Sequence, residues 1–191
     1  MLDLFIWFIF IKICKPSYLS VEYTKIMGSY QFPIYIGTPR QKMLLSMDMT
    51  NNYTWISRYF YNSNKSTSIT KINDITKINF GCYSFDFSEL NDKIWIKNLD
   101  NFYSIFFNFY FLTSELFSSD NYEGIGTAYK FENENFSFIH QLYNNKIISE
   151  KSFGFYPQKP TKGLLYLGNI PQKELNKKYT YKIKVLPNHK T

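Results

Sequence analysis

The sequence is poor in the residues that staple, coordinate or strongly charge a protein. Its two cysteines, Cys14 and Cys82, stand far apart, one of them inside an apolar N-terminal segment, which excludes a disulfide framework. Its two histidines, His140 and His189, have no acid or cysteine spaced around them for a zinc site or a catalytic triad; a polar helix face is expected for the first and a tail for the second. Cys82 has no histidine nearby in sequence either, so a packed or incidental thiol is expected rather than a nucleophile. A phosphate-binding Gly-rich loop with lysine is missing, since "GIGTAY" is too short and wrongly placed. Long apolar runs are missing too. "LFIWFIFI", Leu4 to Ile11, lies in an apolar N-terminus that ends at about Cys14. At about 1.5 Å per residue a helix there falls well short of the roughly 30 Å hydrocarbon core, so no stable membrane span is expected.

What is present is apolar and aromatic. The chain has 191 residues, 45% of them hydrophobic and 20% aromatic, enough to bury a core without staples in one domain. Arginine occurs only at Arg40 and Arg58 and valine only at Val21 and Val185, against a background rich in Lys, Asn, Ile, Tyr and Phe. We read that background as base-composition bias in the gene, which a codon table tests. The formal charge of +7 comes from scattered lysines, and no nucleic-acid partner is expected. In "KKYTYKIKVL", Lys177 to Leu186, Tyr179, Tyr181, Ile183 and Val185 alternate with Thr180, Lys182 and Lys184, the period of a strand with one solvated lysine face. Residues 1–20 read as an apolar leader. Its length fits a secretory signal with Ser17 and Ser20 as small residues for cleavage, but Asp3 replaces the basic start, so an N-terminal anchor and a mistaken start codon stay open. Acceptor patterns for N-glycosylation occur at Asn52, Asn64 and Asn135, as chance also produces in an Asn-rich chain.

Strand signals dominate from Tyr30 onward. Tyr30 to Gly37, Lys42 to Met47, Tyr53 to Ile56, Ile75 to Phe80, Lys93 to Ile96 and Phe102 to Phe111 are rich in aromatic and β-branched residues. "GTPRQ" between the first two marks a tight turn. The polar residues 57–74 read as a long surface loop. "NENFSFIHQLYNNK" predicts one helix capped by Asn135, with Phe138, Leu142 and Tyr143 on its buried face. "FGFY" and "GLLYLGNIP" then return to strand character. The expected class is mainly β with one or two short helices. Asp48 is the anomaly: it ends the apolar run of "LLSMDMTNN", where an aspartate is costly unless its charge is held and used, so the stretch marks a reaction site or its remains.

The order "IYIGTPRQKMLLSMDMTNNYTWI", "INFGCYSFDFSELNDKIWI", "YEGIGTAY", "FIHQLYNNKIISEKSFGFY" and "GLLYLGNIP" resembles the N-terminal lobe of the pepsin-like eukaryotic aspartic proteases, over about Lys25 to Leu186. The resemblance implies a lobe spanning residues 25–191 and an aspartic-type endopeptidase that needs neither metal nor cofactor. In that family each of two lobes brings one Asp-Thr-Gly. Because two close carboxylates cannot both ionise, one serves as general acid while the other activates the attacking water. Asp48 matches the catalytic aspartate of the first lobe. Met49 stands where the family has Thr, Thr50 where it has Gly and Asn51 where it has Ser. Phe80-Gly81 matches the Tyr-Gly of the substrate-covering flap, with Tyr83 near, and Glu123 replaces an Asp in "EGIGTAY". The resemblance further implies a peptide or protein substrate and a place in the secretory pathway, outside the cell or in a vacuole.

None of the other aspartates, Asp3, Asp74, Asp86, Asp92, Asp100 and Asp120, is followed by Thr-Gly or Ser-Gly, so the second catalytic carboxylate is not in these residues. Two readings stay open. In one, the second lobe comes from another chain, a longer product or a symmetric copy presenting its own Asp48, although Met49 lacks the hydroxyl that would lock such a pair. In the other, the lobe is a non-catalytic peptide-binding or interaction module. A lone aspartate, titrating near about 3.9, gives a charge but no acid–base cycle. Losing that cycle costs roughly 10²- to 10⁴-fold in rate, which favours inactivity of the isolated chain. The face that meets the second lobe would be exposed apolar surface, so self-association or binding to another lobe is expected.

Overall fold

The computed structural model of the protein describes residues 18–26, 28–48, 54–80, 83–98, 101–113, 124–126 and 135–169. It is mainly β. Strands β1 (Tyr18–Ile26), β2 (Ser29–Ile36), β3 (Gln41–Asp48), β4 (Thr54–Ser57), β5 (Thr70–Phe80), β6 (Tyr83–Asn98), β7 (Asn101–Leu112), β8 (Gly124–Gly126), β9 (Phe153–Lys159) and β10 (Lys162–Gly168) join one mixed sheet. The helix α1 (Phe138–Asn144) and a 3-10 turn at Ser63–Lys65 complete it.

Period-two burial explains the strands. Phe32, Ile34 and Ile36 on β2, Met43 and Leu45 on β3, and Ile105, Phe107 and Phe109 on β7 are all buried, while their neighbours in sequence face outward or sideways. β6 continues this pattern through Leu90, Ile94 and Ile96, with Asp92 on the same inward parity. The sheet then closes on itself. Its order is β5-β6-β7-β4-β8-β3-β2-β1-β10-β9, and an added pairing of β2 with β6, Tyr35 opposite Trp95 and Ile36 opposite Ile94, makes a circuit of β2, β3, β8, β4, β7 and β6. The inward residues of that circuit form the main core, which α1 joins through Phe138, in ring contact with Phe32 and Phe107. Burying one such aromatic contributes roughly 3 kcal/mol.

The strand expectations hold for β2, β3, β4, β7, β9 and β10 to within a residue or two at most ends. Elsewhere the structure differs. β1 begins at Tyr18, inside the stretch read as leader, because Leu19 and Val21 are buried opposite Leu167 and Leu165 of β10. Residues 57–74 are not a long surface loop: β5 starts at Thr70, and Tyr61 and Ser66 are buried within the connection. The helix starts later than expected, with Ser137 and not Asn135 at its N-cap. Tyr143 is exposed, since a step of five residues from Phe138 turns it off the face that Phe138 and Leu142 share. His140 is buried rather than on a polar face, its Nδ1 3.1 Å from Ser137 Oγ, because the short helix is packed on both sides from Phe138 to Leu142. Lys177 to Leu186, Cys14, Cys82, His189, Glu123 and Asn52 lie outside the described residues, whereas Asn64 and Asn135 are exposed. Among the described residues no helix is long and apolar enough to cross a membrane.

Candidate active site

β3 runs outward from the turn at Gly37–Arg40 and ends at Asp48. There it pairs in parallel with β8, Ser46 opposite Gly124, Met47 opposite Ile125 and Asp48 opposite Gly126. β4 pairs with the other side of β8, antiparallel, through Thr54 opposite Ile125 and Trp55 opposite Gly124. β8 thus threads between two strands that follow each other in sequence, and ladder pairing fixes the backbone at Asp48 and at Thr54. Met49, Thr50 and Asn51 themselves lie outside the described residues, so they remain expectations of the sequence.

The flap positions fall at the end of a long hairpin. β5 and β6 pair from Thr70 opposite Asn91 to Phe80 opposite Tyr83, which leaves Gly81 and Cys82 as its two-residue tip, outside the described residues. β6 ladders with β7 only from Phe87 onward; nearer the tip it pairs with β5, with Asp86 O accepting from Thr113 N and Oγ1. Irregular register between Lys71 and Thr76 bends β5 along its length. At its base the hairpin is pinned by a second apolar cluster of Phe85, Phe87, Tyr110, Leu112 and Phe136, with Trp55 and Ile78 against it. Tyr110 stacks on Phe136 at 4.2 Å between ring centroids, and Trp55 meets Phe87 edge-on at 6.5 Å. This buried aromatic cluster joins the strand after Asp48 to the hairpin. No strand is expected from the sequence between Phe80 and Lys93, so neither Phe85 and Phe87 nor their meeting with Tyr110 and Phe136 is legible there.

A second aspartate holds a different kind of site. Asp92 is fully buried and its carboxyl receives Tyr61 Oη, Ser68 Oγ at 2.6 Å and its neighbour's backbone, Lys93 N, at 2.7 Å. Ser66 Oγ accepts from Thr38 N at 3.1 Å, and Gly37 N donates to Lys93 O at 2.8 Å. Burial above all, then the hydrogen bond to Asp92 and the charge it carries, pushes the Tyr61 hydroxyl well above its ordinary value. Gly37 has φ +81°, and a Cβ there would lie 2.8 Å from Ser66 Oγ and 3.3 Å from Asp92 Oδ2, so only glycine fits. The network ties the turn that launches β3 to β6 and to the 61–68 connection. It is architectural, and sequence reasoning passed over it; the available signal was an acid on the inward parity of Leu90, Ile94 and Ile96.

A closed β circuit with β8 threaded beside the Asp48 end of β3, extended by the long β5–β6 hairpin, defines a single pepsin-like lobe. The chain matches the family model of the eukaryotic aspartyl proteases over residues 29–186 and belongs to that family. No curated protein matches it.

Proposed function

We propose that this chain supplies one half of an aspartic endopeptidase site, with Asp48 as the catalytic carboxylate and the Phe80, Gly81 and Tyr83 tip as the cover over a bound peptide, and that taken alone it does not hydrolyse peptides. The observation that supports this most is the placement of Asp48 at the end of a parallel strand pair, opposite Gly126, in a chain of this family. Aspartic hydrolysis needs a second acid close by, so that one carboxyl is protonated while the other takes a proton from water. Asp48 is followed by Met49-Thr50, and no Asp-Thr-Gly or Asp-Ser-Gly occurs elsewhere in the 191 residues. Asp48 by itself can hold a water or a peptide group but cannot run the cycle. A partner lobe, on a second chain, on a second copy or further along a longer product, completes it. Met49 in place of the family's Thr removes a hydroxyl that braces the paired loops, and Phe80 in place of Tyr removes a hydroxyl from the cover. Each weakens turnover more than folding. The substrate is a peptide or protein, and the compartment is the secretory pathway, the cell exterior or a vacuole.

The altered positions Met49, Thr50 and Asn51 after Asp48 support a second reading, a lobe that binds peptides without cutting them. An acid-pH cleavage assay on the wild-type chain and on Asp48→Ala separates the two. Equal background rates in both are expected for the isolated chain. Pepstatin-sensitive turnover that Asp48→Ala abolishes would overturn the claim of inactivity and restore a complete enzyme by self-association, which light scattering would show as a dimer.

A further inference from the structure

One broad face of the sheet has cations and rings where the opposite face has core. On β6, Lys93, Trp95 and Lys97 alternate with the buried Ile94 and Ile96 and so point away from the interior. Register sets Phe106 beside Lys93 and Phe102 beside Lys97 on β7. It also sets Tyr35 of β2 beside Trp95, and Lys42 of β3 beside Tyr35. Four adjacent strands, about 4.8 Å apart, therefore present a surface roughly 15 Å across in which aromatic and cationic side chains alternate. The guanidinium of Arg40 lies 3.9 Å from the Trp95 ring centroid and 4.5 Å from that of Phe102, and Lys93 Nζ lies 4.4 Å from Trp95. Phe102 is 38% and Phe106 58% exposed. Among the described residues no carboxylate shares this patch. Glu89, the acid on the same parity of β6, lies further along the strand and is taken by Asn73 and Thr76.

We propose that this face docks on an anionic lipid surface. Arg40 and Lys93 both lie against the Trp95 ring, and Lys42 and Lys97 extend the positive charge along β3 and β6, so the charge is distributed across several strands and complements a negative charge spread over a plane. Long cationic stems laid along rings, with Phe102 and Phe106 exposed between them, are what an interface of headgroups over hydrocarbon accommodates: rings enter the boundary layer and the charged ends stay among the headgroups. Arg40 and Lys42 stand at the opposite end of β3 from Asp48, so docking leaves the candidate active-site end free.

Flotation of the full chain with vesicles of phosphatidylcholine, alone or mixed with phosphatidylserine, tests this at low and physiological salt. Wild type is expected to prefer the anionic vesicles, with the preference shrinking as salt rises. Lys42→Gln with Lys97→Gln, both at exposed positions, is expected to lower binding to anionic vesicles roughly 25-fold, about fivefold per cation, with unchanged thermal unfolding. Phe106→Ser is expected to weaken binding to the same vesicles while keeping its salt dependence. Binding that ignores headgroup charge, or equal binding by wild type and the double variant, overturns the proposal. Capture by poly-glutamate or single-stranded DNA with no vesicle binding also overturns it and assigns the face to an acidic macromolecule.

Discussion

Asp92 and Asp48 lie on strands of the same closed circuit and do opposite things. Asp92 is sealed inside with donors from Tyr61, Ser68 and the backbone of Lys93, all supplied by this chain. Asp48 ends β3, where pairing with β8 fixes the backbone, as it does at Thr54 of β4. The Asp92 network anchors the turn at the start of β3; Asp48 sits at its far end, roughly 20–25 Å away along an extended strand. An acid whose hydrogen-bonding capacity is filled by its own fold is spent on structure. Asp48 ends a strand paired with β8, the position where the proposed site would meet a ligand or a second carboxyl.

The sharpest way to break this contrast is to delete each acid in turn. Asp92→Ala leaves the buried Tyr61 donor and two part-buried donors without their acceptor and should lower the unfolding free energy by about 3–5 kcal/mol in urea melts, whereas a loss under about 1 kcal/mol would show the network to be incidental. Gly37→Ala comes next, at about 2–3 kcal/mol, because the new methyl meets Ser66 and Asp92 at a positive φ. Tyr61→Phe removes one donor and should cost about 1–2 kcal/mol at neutral pH. It should also flatten a pH dependence. The Tyr61 hydroxyl titrates higher in the fold than its ordinary 10.0, so the stability it adds is fully present below about pH 10 and is lost as pH rises through the higher folded value. Alkaline melts of wild type should therefore fall more steeply than those of Tyr61→Phe. The smallest effect belongs to Asp48→Ala, expected to change stability by less than about 0.5 kcal/mol. A large loss there would make Asp48 a structural acid like Asp92 and remove it from the proposed site.

The fold was legible where local pattern and tertiary role agree. Alternation through Phe32, Ile34 and Ile36 and through Ile105, Phe107 and Phe109 is visible in sequence because each strand buries one face against a single core. β5 was cut short because Thr70 to Asp74 is polar, and only pairing with Asn91, Leu90 and Glu89 of β6 makes it a strand. β1 was hidden by the apolar stretch before it, although Leu19 and Val21 pack as core. His140 and Tyr143 exchanged expected places because a seven-residue helix under two layers does not keep the stripe of a surface helix. Of the candidate site, Asp48 and the hairpin tip were readable from motif order. The Phe87, Tyr110 and Phe136 cluster and the Asp92 network join residues distant in sequence, and no local signal carries their meeting.

The sequence by itself determined the β class, the family and the single Asp48 motif, because side-chain alternation and short motifs are local and survive without neighbours. Closure of the circuit through the β2–β6 pairing, burial of Asp92 and exposure of the cationic aromatic face were decided only in three dimensions. The physical reason is that solvation and hydrogen-bond satisfaction depend on which distant strands become neighbours, and loop-connected strands can do so in many ways until packing selects one.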